Sequence, residues 1–257
     1  MVRGLYTAYT GMLNQQKRMD TLANNLANAD TTGYKKEGVT SKTFETQLAI
    51  KVKDGSHGYL DERIGKLNLG VKIGENYTDF SQGSYRYTDN TYDLALGGNG
   101  FFQIAFTNKK GEQSVKYTRD GNFTIDKEGA LRTKDGDYVL GEGGEIYLPT
   151  NSASVSINKL GQIYCDGEYI DRIALTDFED YNYLKKYGEN LYTAVDGAVE
   201  KEADAVIDQG YLEMSNINVV SEMVNMISLS RTYEANQKVI QTMDELMEKS
   251  ANQVGKL

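Results

Sequence analysis

The sequence has few of the residues that usually build chemical sites. Its 257 residues include one histidine, one cysteine, one proline and no tryptophan. His57 and Cys165 could not complete a three- or four-ligand zinc centre without carboxylates in the remaining positions. A Ser-His-Asp or Cys-His arrangement would have to use His57, which lies in Lys53-Asp54-Gly55-Ser56-His57-Gly58, a stretch that reads as an exposed loop. One cysteine forms no intramolecular disulfide, so stability must come from packing or from assembly. No run approaches the roughly eighteen apolar residues of a membrane helix, so no membrane insertion is expected. The N-terminus also lacks the charged, apolar, small-residue order of a cleavable signal, and export would need a route that does not read one. With 28 basic against 37 acidic side chains the net charge is -9, which argues against a nucleic-acid partner. No catalytic residue, cofactor or metal is expected.

What the chain does contain is tyrosine, amides and two long periodic ends. The hydrophobic fraction is only 39%, and nineteen tyrosines supply much of the apolar area. Each has an apolar body and a polar tip, which suits surfaces half buried against a neighbour. From Leu5 to Asn28 there is no proline and one internal glycine, Gly11. Leu5, Met12, Met19 and Leu26 recur every seven residues, Ala8, Leu22 and Ala29 follow members of that row by three, and Tyr9 and Ala23 form an adjoining edge. This is a heptad seam on a helix of about 36 Å. It should stop at Asp30-Thr31-Thr32-Gly33, where Gly33 can take a positive φ. At the other end Val219, Met226, Tyr233, Ile240 and Met247 repeat the seven-residue spacing, broadened by Met223, Leu229, Met243 and Leu246. Ser215 or Asn216 is the expected N-cap, and the absence of glycine and proline up to Val254 allows one helix of about 60 Å. Residues 1–36 carry five basic and two acidic groups and residues 212–257 four and six, so the two ends attract weakly.

Most amphipathic helices only pack on their own molecule. Two features point to contacts between molecules as well: the length of the seams, and the amides Asn14, Gln15, Gln16, Asn24, Asn25 and Asn28, spread around several faces of the first helix. An amide both donates and accepts, so it can serve several neighbours.

The middle changes period. From Ser81 to Asp208 short β-branched or alternating runs are separated by Asp-Gly and related turns, including Asp120-Gly121, Asp135-Gly136 and Asp166-Gly167. These are hairpin signals. The reading is α+β: long N- and C-terminal helices forming a coiled coil, around a central antiparallel β-domain. Residues 1–36 and 212–257 are the helical polymerisation domain, 37–80 an extended connecting segment and 81–211 the β-rich body.

The motifs that tempt a chemical reading are better explained as structure. Gly97-Gly98-Asn99-Gly100 lacks the Lys-Ser/Thr and the helix of a phosphate loop and reads as a turn feeding the buried strand at Phe101-Phe102. Asp135-Gly136-Asp137 and Asp120-Gly121-Asn122 lack the remaining ligand spacing of a calcium loop and read as hairpin turns. Cys165 has no basic neighbour in its apolar strand and reads as a buried structural thiol. Glu142 and Glu145 are available as a carboxylate pair, but a glycosidase needs a fixed separation in a cleft that spacing alone does not supply.

Four ordered motifs carry a family resemblance. Leu22-Ala23-Asn24-Asn25-Leu26-Ala27-Asn28-Ala29-Asp30-Thr31-Thr32-Gly33-Tyr34-Lys35 resembles the N-terminal signature of flagellar rod, hook and hook-associated proteins. The segment from Ser215 to Ile227, continuing through Arg231-Thr232-Tyr233-Glu234-Ala235-Asn236, is similar to the matching C-terminal motif. Asp93 to Phe102 and Tyr117 to Phe123 are similar to the central β-domain of basal-body rod proteins. The resemblance implies a non-enzymatic subunit, exported unfolded through the flagellar export apparatus and polymerised helically with copies of itself, beside neighbouring rod and hook proteins. The terminal helices would form an inner tube, and the shaft would transmit torque. The self-assembly residues expected on this reading are Leu5, Met12, Met19, Leu22, Asn24, Asn25, Leu26, Asn28, Val219, Met223, Met226, Tyr233, Ile240 and Met247. The alternatives are a hook subunit, or a secreted glycan- or wall-binding β-domain with a helical dimerisation stalk.

Overall fold

A computed structural model describes residues 2–45, 47–51, 62–108, 111–150, 152, 154–188 and 190–254; His57 lies outside the described residues. The chain forms two compact units. One comprises Met1–Leu26, Glu37–Thr78 and Val219–Leu257; the other comprises Ala27–Lys36 and Asp79–Asn218.

The first unit holds both long helices. α1 spans Val2–Ala27 and α2 spans Val219–Lys249. They come together at the glycines of α1: a Cβ on Gly4 would lie 3.1 Å from Met243, and one on Gly11 would lie 3.2 Å from the Asn236 amide. Moving seven residues forward in α1 moves seven back in α2, so the helices run antiparallel. Between them in sequence, β1 (Glu37–Thr43) pairs antiparallel with β4 (Val71–Thr78), and β2 (Gln47–Lys51) with β3 (Glu62–Leu67). β1 is tied to α1 by side chains. The Asn14 amide donates to Ser41 Oγ at 2.9 Å and accepts from it, while Asn25 donates to the Glu37 carbonyl at 2.8 Å and accepts from the Glu37 N–H at 3.0 Å.

α2 begins later than expected. Neither Ser215 nor Asn216 caps it, because the chain up to Glu213 is still β-strand and the Asn216 amide accepts from Lys36 N–H and donates to the Asp79 carbonyl. With 31 residues the helix is about 46 Å long, shorter than the span free of glycine and proline.

The second unit is an antiparallel β-body. β5 (Tyr85–Tyr87) pairs with Tyr211–Glu213, and β6 (Leu94–Gly98) pairs with Ala205–Gln209. β7 (Phe101–Thr107) and β8 (Gln113–Thr118) sit in the middle of a ten-stranded sheet in which β7 also pairs with Tyr138–Gly141 and Leu175–Phe178. One core gathers Leu94, Phe102, Phe123, Leu131, Val139 and Ile163 with their neighbours, and a second is aromatic, built on Phe101, Tyr117, Phe178 and Tyr192. Fully burying a side chain of this size contributes about 1.5–3 kcal/mol. The expected central antiparallel β-domain and a long helix at each end are therefore present.

Two turn expectations separate here. Asp135-Gly136 and Asp166-Gly167 do join paired strands, Leu131–Thr133 to Tyr138–Gly141 and Gln162–Cys165 to Glu168–Arg172. Asp120-Gly121-Asn122 does not, since β8 pairs with β7 and Leu191–Ala194 rather than with Phe123–Ile125. The peptide at Gly121 lies directly on β6: its carbonyl accepts from Leu94 N–H, and an added Cβ would fall 1.7 Å from the Leu94 oxygen.

Candidate assembly interface and a buried charge junction

Apart from Ser230, partial or full burial along α2 falls at Glu222, Met226, Leu229, Tyr233, Asn236, Ile240, Met243 and Met247, a row whose step alternates between four and three residues. That row is the side that meets α1. Of the residues expected at an assembly surface, Met226, Tyr233, Ile240 and Met247 lie on it, partly buried, whereas Val219 and Met223 are exposed. In α1, Leu5, Met12, Met19, Leu22 and Leu26 are partly buried. The amides divide: Asn25 is fully buried against β1, Asn28 accepts from Thr31 Oγ1 at 3.2 Å, and Asn24 is exposed.

α2 is apolar on a second side as well. Val220, Val224 and Ile227 are 72%, 61% and 55% exposed, and at about 3.6 residues per turn they project away from the α1-facing row. Val224 and Ile227 border a shallow surface depression that is lined also by Ser228, Arg231, Thr232 and Ala235. On α1, Tyr6, Tyr9 and Leu13 are likewise exposed, on the side opposite Gly4 and Gly11.

The β-body contains a junction that sequence reading did not foresee. Glu213, at the end of the strand preceding α2, is wholly buried; its Oε1 accepts from Lys35 Nζ at 2.6 Å and from Gly83 N–H at 2.9 Å, and its Oε2 faces Arg119 Nη1 at 3.4 Å. Lys35 Nζ also donates to the Ser81 carbonyl, and Arg119 Nη2 to the Gly98 carbonyl, each at 2.8 Å. Burial pulls the Lys35 ammonium below the usual lysine range, and the Glu213 carboxylate opposes that pull. Beside it Thr32 Oγ1 donates to Asp120 at 2.7 Å, Asn190 bridges Asp120 and the Thr32 carbonyl, and burial pushes the Asp120 carboxyl above its ordinary value. Gly33 sits at φ +66, and a Cβ there would lie 2.4 Å from Asp120 N. Glycine is needed there both for the backbone angle and for the close approach.

Three motifs of the sequence meet at this junction, the segment ending in Tyr34-Lys35, the Gly97-Gly98-Asn99-Gly100 turn and the Arg119-Asp120-Gly121-Asn122 turn, while Glu213 lies two residues before the C-terminal motif, whose Asn216 holds the Lys36 N–H and the Asp79 carbonyl alongside. Lys35 and Arg119 stand inside two of those motifs, but the glycine turn contributes only a backbone carbonyl and Glu213 lies outside the motifs, so no common sequence signal marked the junction. Lys35, Arg119 and Glu213 pair inside the β-body with almost no exposure, and breaking such a buried pair costs more than breaking a surface one.

Other candidate chemistry is engaged structurally. Cys165 is buried and its thiol is pushed up by that burial. Glu142 pairs with Arg172 at 3.1 Å, and Glu145 accepts from the Tyr147 hydroxyl at 2.9 Å. The Gly97–Gly100 turn does feed β7, with Phe101 and Phe102 fully buried. Among the described residues no group of three or more His, Cys, Asp or Glu could hold a metal ion, and no helix is long and apolar enough to cross a membrane.

Three family models match this chain in order. "Flagella basal body rod protein" covers residues 5–35, "Flagellar hook protein FlgE/F/G D1 domain" residues 95–165 and "Flagellar basal body rod FlgEFG protein C-terminal" residues 208–254. The chain is 33% identical to the flagellar basal-body rod protein FlgG of Bacillus subtilis over 98% of its own length and 99% of that protein's. It is 34% identical to the basal-body rod protein FlgF of Caulobacter vibrioides, and 32% identical to the hook-basal body complex protein FlhO of Bacillus subtilis, each over the full length of both chains. The matched models begin and end on α1 and α2 and enclose the junction residues Lys35, Arg119 and Glu213, and with end-to-end identity above 30% the chain belongs to the flagellar basal-body rod protein family.

Proposed function

We propose that this protein is a structural subunit of the bacterial flagellar basal-body rod that polymerises helically into the shaft linking motor to hook. The terminal segments 1–36 and 212–257 act as the polymerisation domain, pairing as a coiled coil; 81–211 forms the β-rich body, and 37–80 connects them. Partners are copies of itself, neighbouring rod and hook proteins, and the flagellar export apparatus that delivers it. The rod family does mechanical work, so no reaction is assigned.

The observation that carries this reading is that α2 is apolar on two opposite sides, one facing α1 and one open to solvent. A helix needs only one such side to pack on its own molecule. The second side supports contact with other subunits, and a head-to-tail contact that does not close yields an open filament. Coverage of rod proteins from end to end supports a rod subunit over a hook subunit.

The test is to isolate hook–basal bodies from a host whose copy carries an epitope tag in the β-body. The tag should co-purify with the shaft and be labelled there by electron microscopy, and deletion of the chain should leave cells without hooks. A tag absent from basal bodies, with normal hooks in the deletion strain, would overturn the reading.

A further inference from the structure

The β-body holds a cavity that the rod-subunit reading does not use. Its volume is about 460 Å³, within the range of small-ligand sites. Ile104 and Phe106 of β7 and Leu191 give it an apolar floor; Ile104 and Phe106 alternate along β7, and Leu191 pairs with Thr118, which in turn pairs with Phe102, so all three lie on one face of the sheet. Carboxylates stand on both sides of that floor. β7 is flanked by β8 on one side and by Tyr138–Gly141 on the other. Asp120 follows β8, whereas Asp135 and Asp137 lie in the turn leading into Tyr138–Gly141, so the two acidic sides are two strand spacings apart, about 10 Å across the sheet.

The charge on these sides is not matched. Against three carboxylates the described lining residues supply one cation, Lys134, which is exposed. The Lys116 ammonium, on the same face of the sheet, is turned instead to Thr193 Oγ1 at 2.8 Å and to the Tyr187 ring. Asp120 is held by neutral donors from Thr32, Asn122 and Asn190, and burial pushes the carboxyls of both Asp120 and Asp137 up. Asn190 leaves a second demand open. Its Nδ2 donates to the Thr32 carbonyl, which fixes the orientation of the amide and leaves Oδ1 buried without a donor among the described residues. Such an acceptor is destabilising until something donates to it. The carboxylates do not converge closely enough to hold a metal ion, so the cation that fits is extended. We propose that this cavity binds an aliphatic diamine or polyamine. One ammonium donates to Asp120 and to Asn190 Oδ1, another to Asp135 and Asp137, and the methylene chain between them covers the apolar floor. A monoamine would leave one acidic side unmatched, and an anion would be repelled from both. The site lies wholly within the β-body, so it stands or falls separately from the rod reading.

Calorimetric titration of the full-length chain with cadaverine at neutral pH and low salt tests this. Binding should saturate at one cadaverine per chain and be at least tenfold tighter than that of pentylamine, which has the same chain and a single ammonium. Asp137→Asn should bring cadaverine down to the level of pentylamine, and Asp135→Asn, at an exposed position, should weaken it in the same sense without touching the fold. Glu142→Gln, which removes a carboxylate outside the cavity where it pairs with Arg172, should leave cadaverine binding unchanged. Equal affinity for the two amines, or equal losses in the Asp135, Asp137 and Glu142 variants, would show only a general attraction to an acidic protein and overturn the proposal. Tighter binding of N-acetyl-lysine methylamide than of cadaverine would overturn it too, because the cavity would then be shaped for a basic side chain of a partner protein.

Discussion

Lys35, Arg119 and Glu213 are two cations and one carboxylate with almost no access to water. Such a group is stabilising only while complete, because the survivor of a broken pair is a charge left in a medium that solvates it poorly. Lys35→Met should therefore lower the unfolding free energy by about 3–5 kcal/mol, and Glu213→Gln by a similar amount. The double variant should lose less than the sum, because the amide introduced at position 213 can still accept from Gly83 N–H and, being neutral, no longer suffers from the loss of a counter-ion. Urea melts of the three variants give the coupling; losses that add to within about 0.5 kcal/mol would mean the pair does not act as one unit. Asp120, nearby, behaves oppositely. Burial raises its carboxyl above the unfolded value of about 3.9, so its contribution is fully present below that pH and declines as pH rises through the folded value. Asp120→Asn keeps the carbonyl oxygen that accepts from Thr32 and from Asn122 N–H but has no charge to bury. Relative to the parent, its urea midpoint should rise between pH 4 and pH 8, and a difference that is flat or falls over that range would refute the sign.

At the scale of elements, what could be read in advance was what repeats locally. Met226, Tyr233, Ile240 and Met247 are seven apart, and the structure places them in one row because a helix returns to the same side every two turns. Leu229, Asn236 and Met243 complete that row, and Asn236 was invisible to an apolar count although its amide lies against Gly11. Asp-Gly turns were legible wherever the flanking strands pair with each other. At Asp120-Gly121 the same dipeptide answers to a distant strand, β6, and to Thr32, and no local rule carries that information. The amides of α1 illustrate the same limit. Asn25 looked available to neighbours, yet it pairs with both backbone groups of Glu37, occupying the place a strand partner would hold. The junction was least legible of all, since Lys35 and Glu213 are 178 positions apart and only the closed fold brings them together.

At the scale of the whole molecule, the junction assigns chain to units differently from helical periodicity. Ala27–Lys36 and the strand before α2 belong with the β-body, and the helical unit begins again only at Glu37 and at Val219. On the proposed function, the subunit orders its β-body as a monomer while keeping its helices ready for neighbours. Helix nucleation is costly, and the outward faces of α1 and α2 are apolar and exposed, so on the proposed reading the helices gain further stability from neighbouring subunits. The β-body has two buried cores and the charged junction to hold it without partners. In a dilute monomer, amide exchange should therefore be fast in residues 2–26 and 219–254 and slow not only in the β-strands but through residues 31–36 and 211–214, where Gly33 N–H donates to the Glu213 carbonyl and Met214 N–H to Ser84. Polymerisation should then slow exchange in both helices and leave the junction as it was. If residues 31–36 instead exchange as fast as α1 in the monomer, the signature segment belongs to the assembling ends, and the Lys35–Glu213 pair forms only when subunits meet.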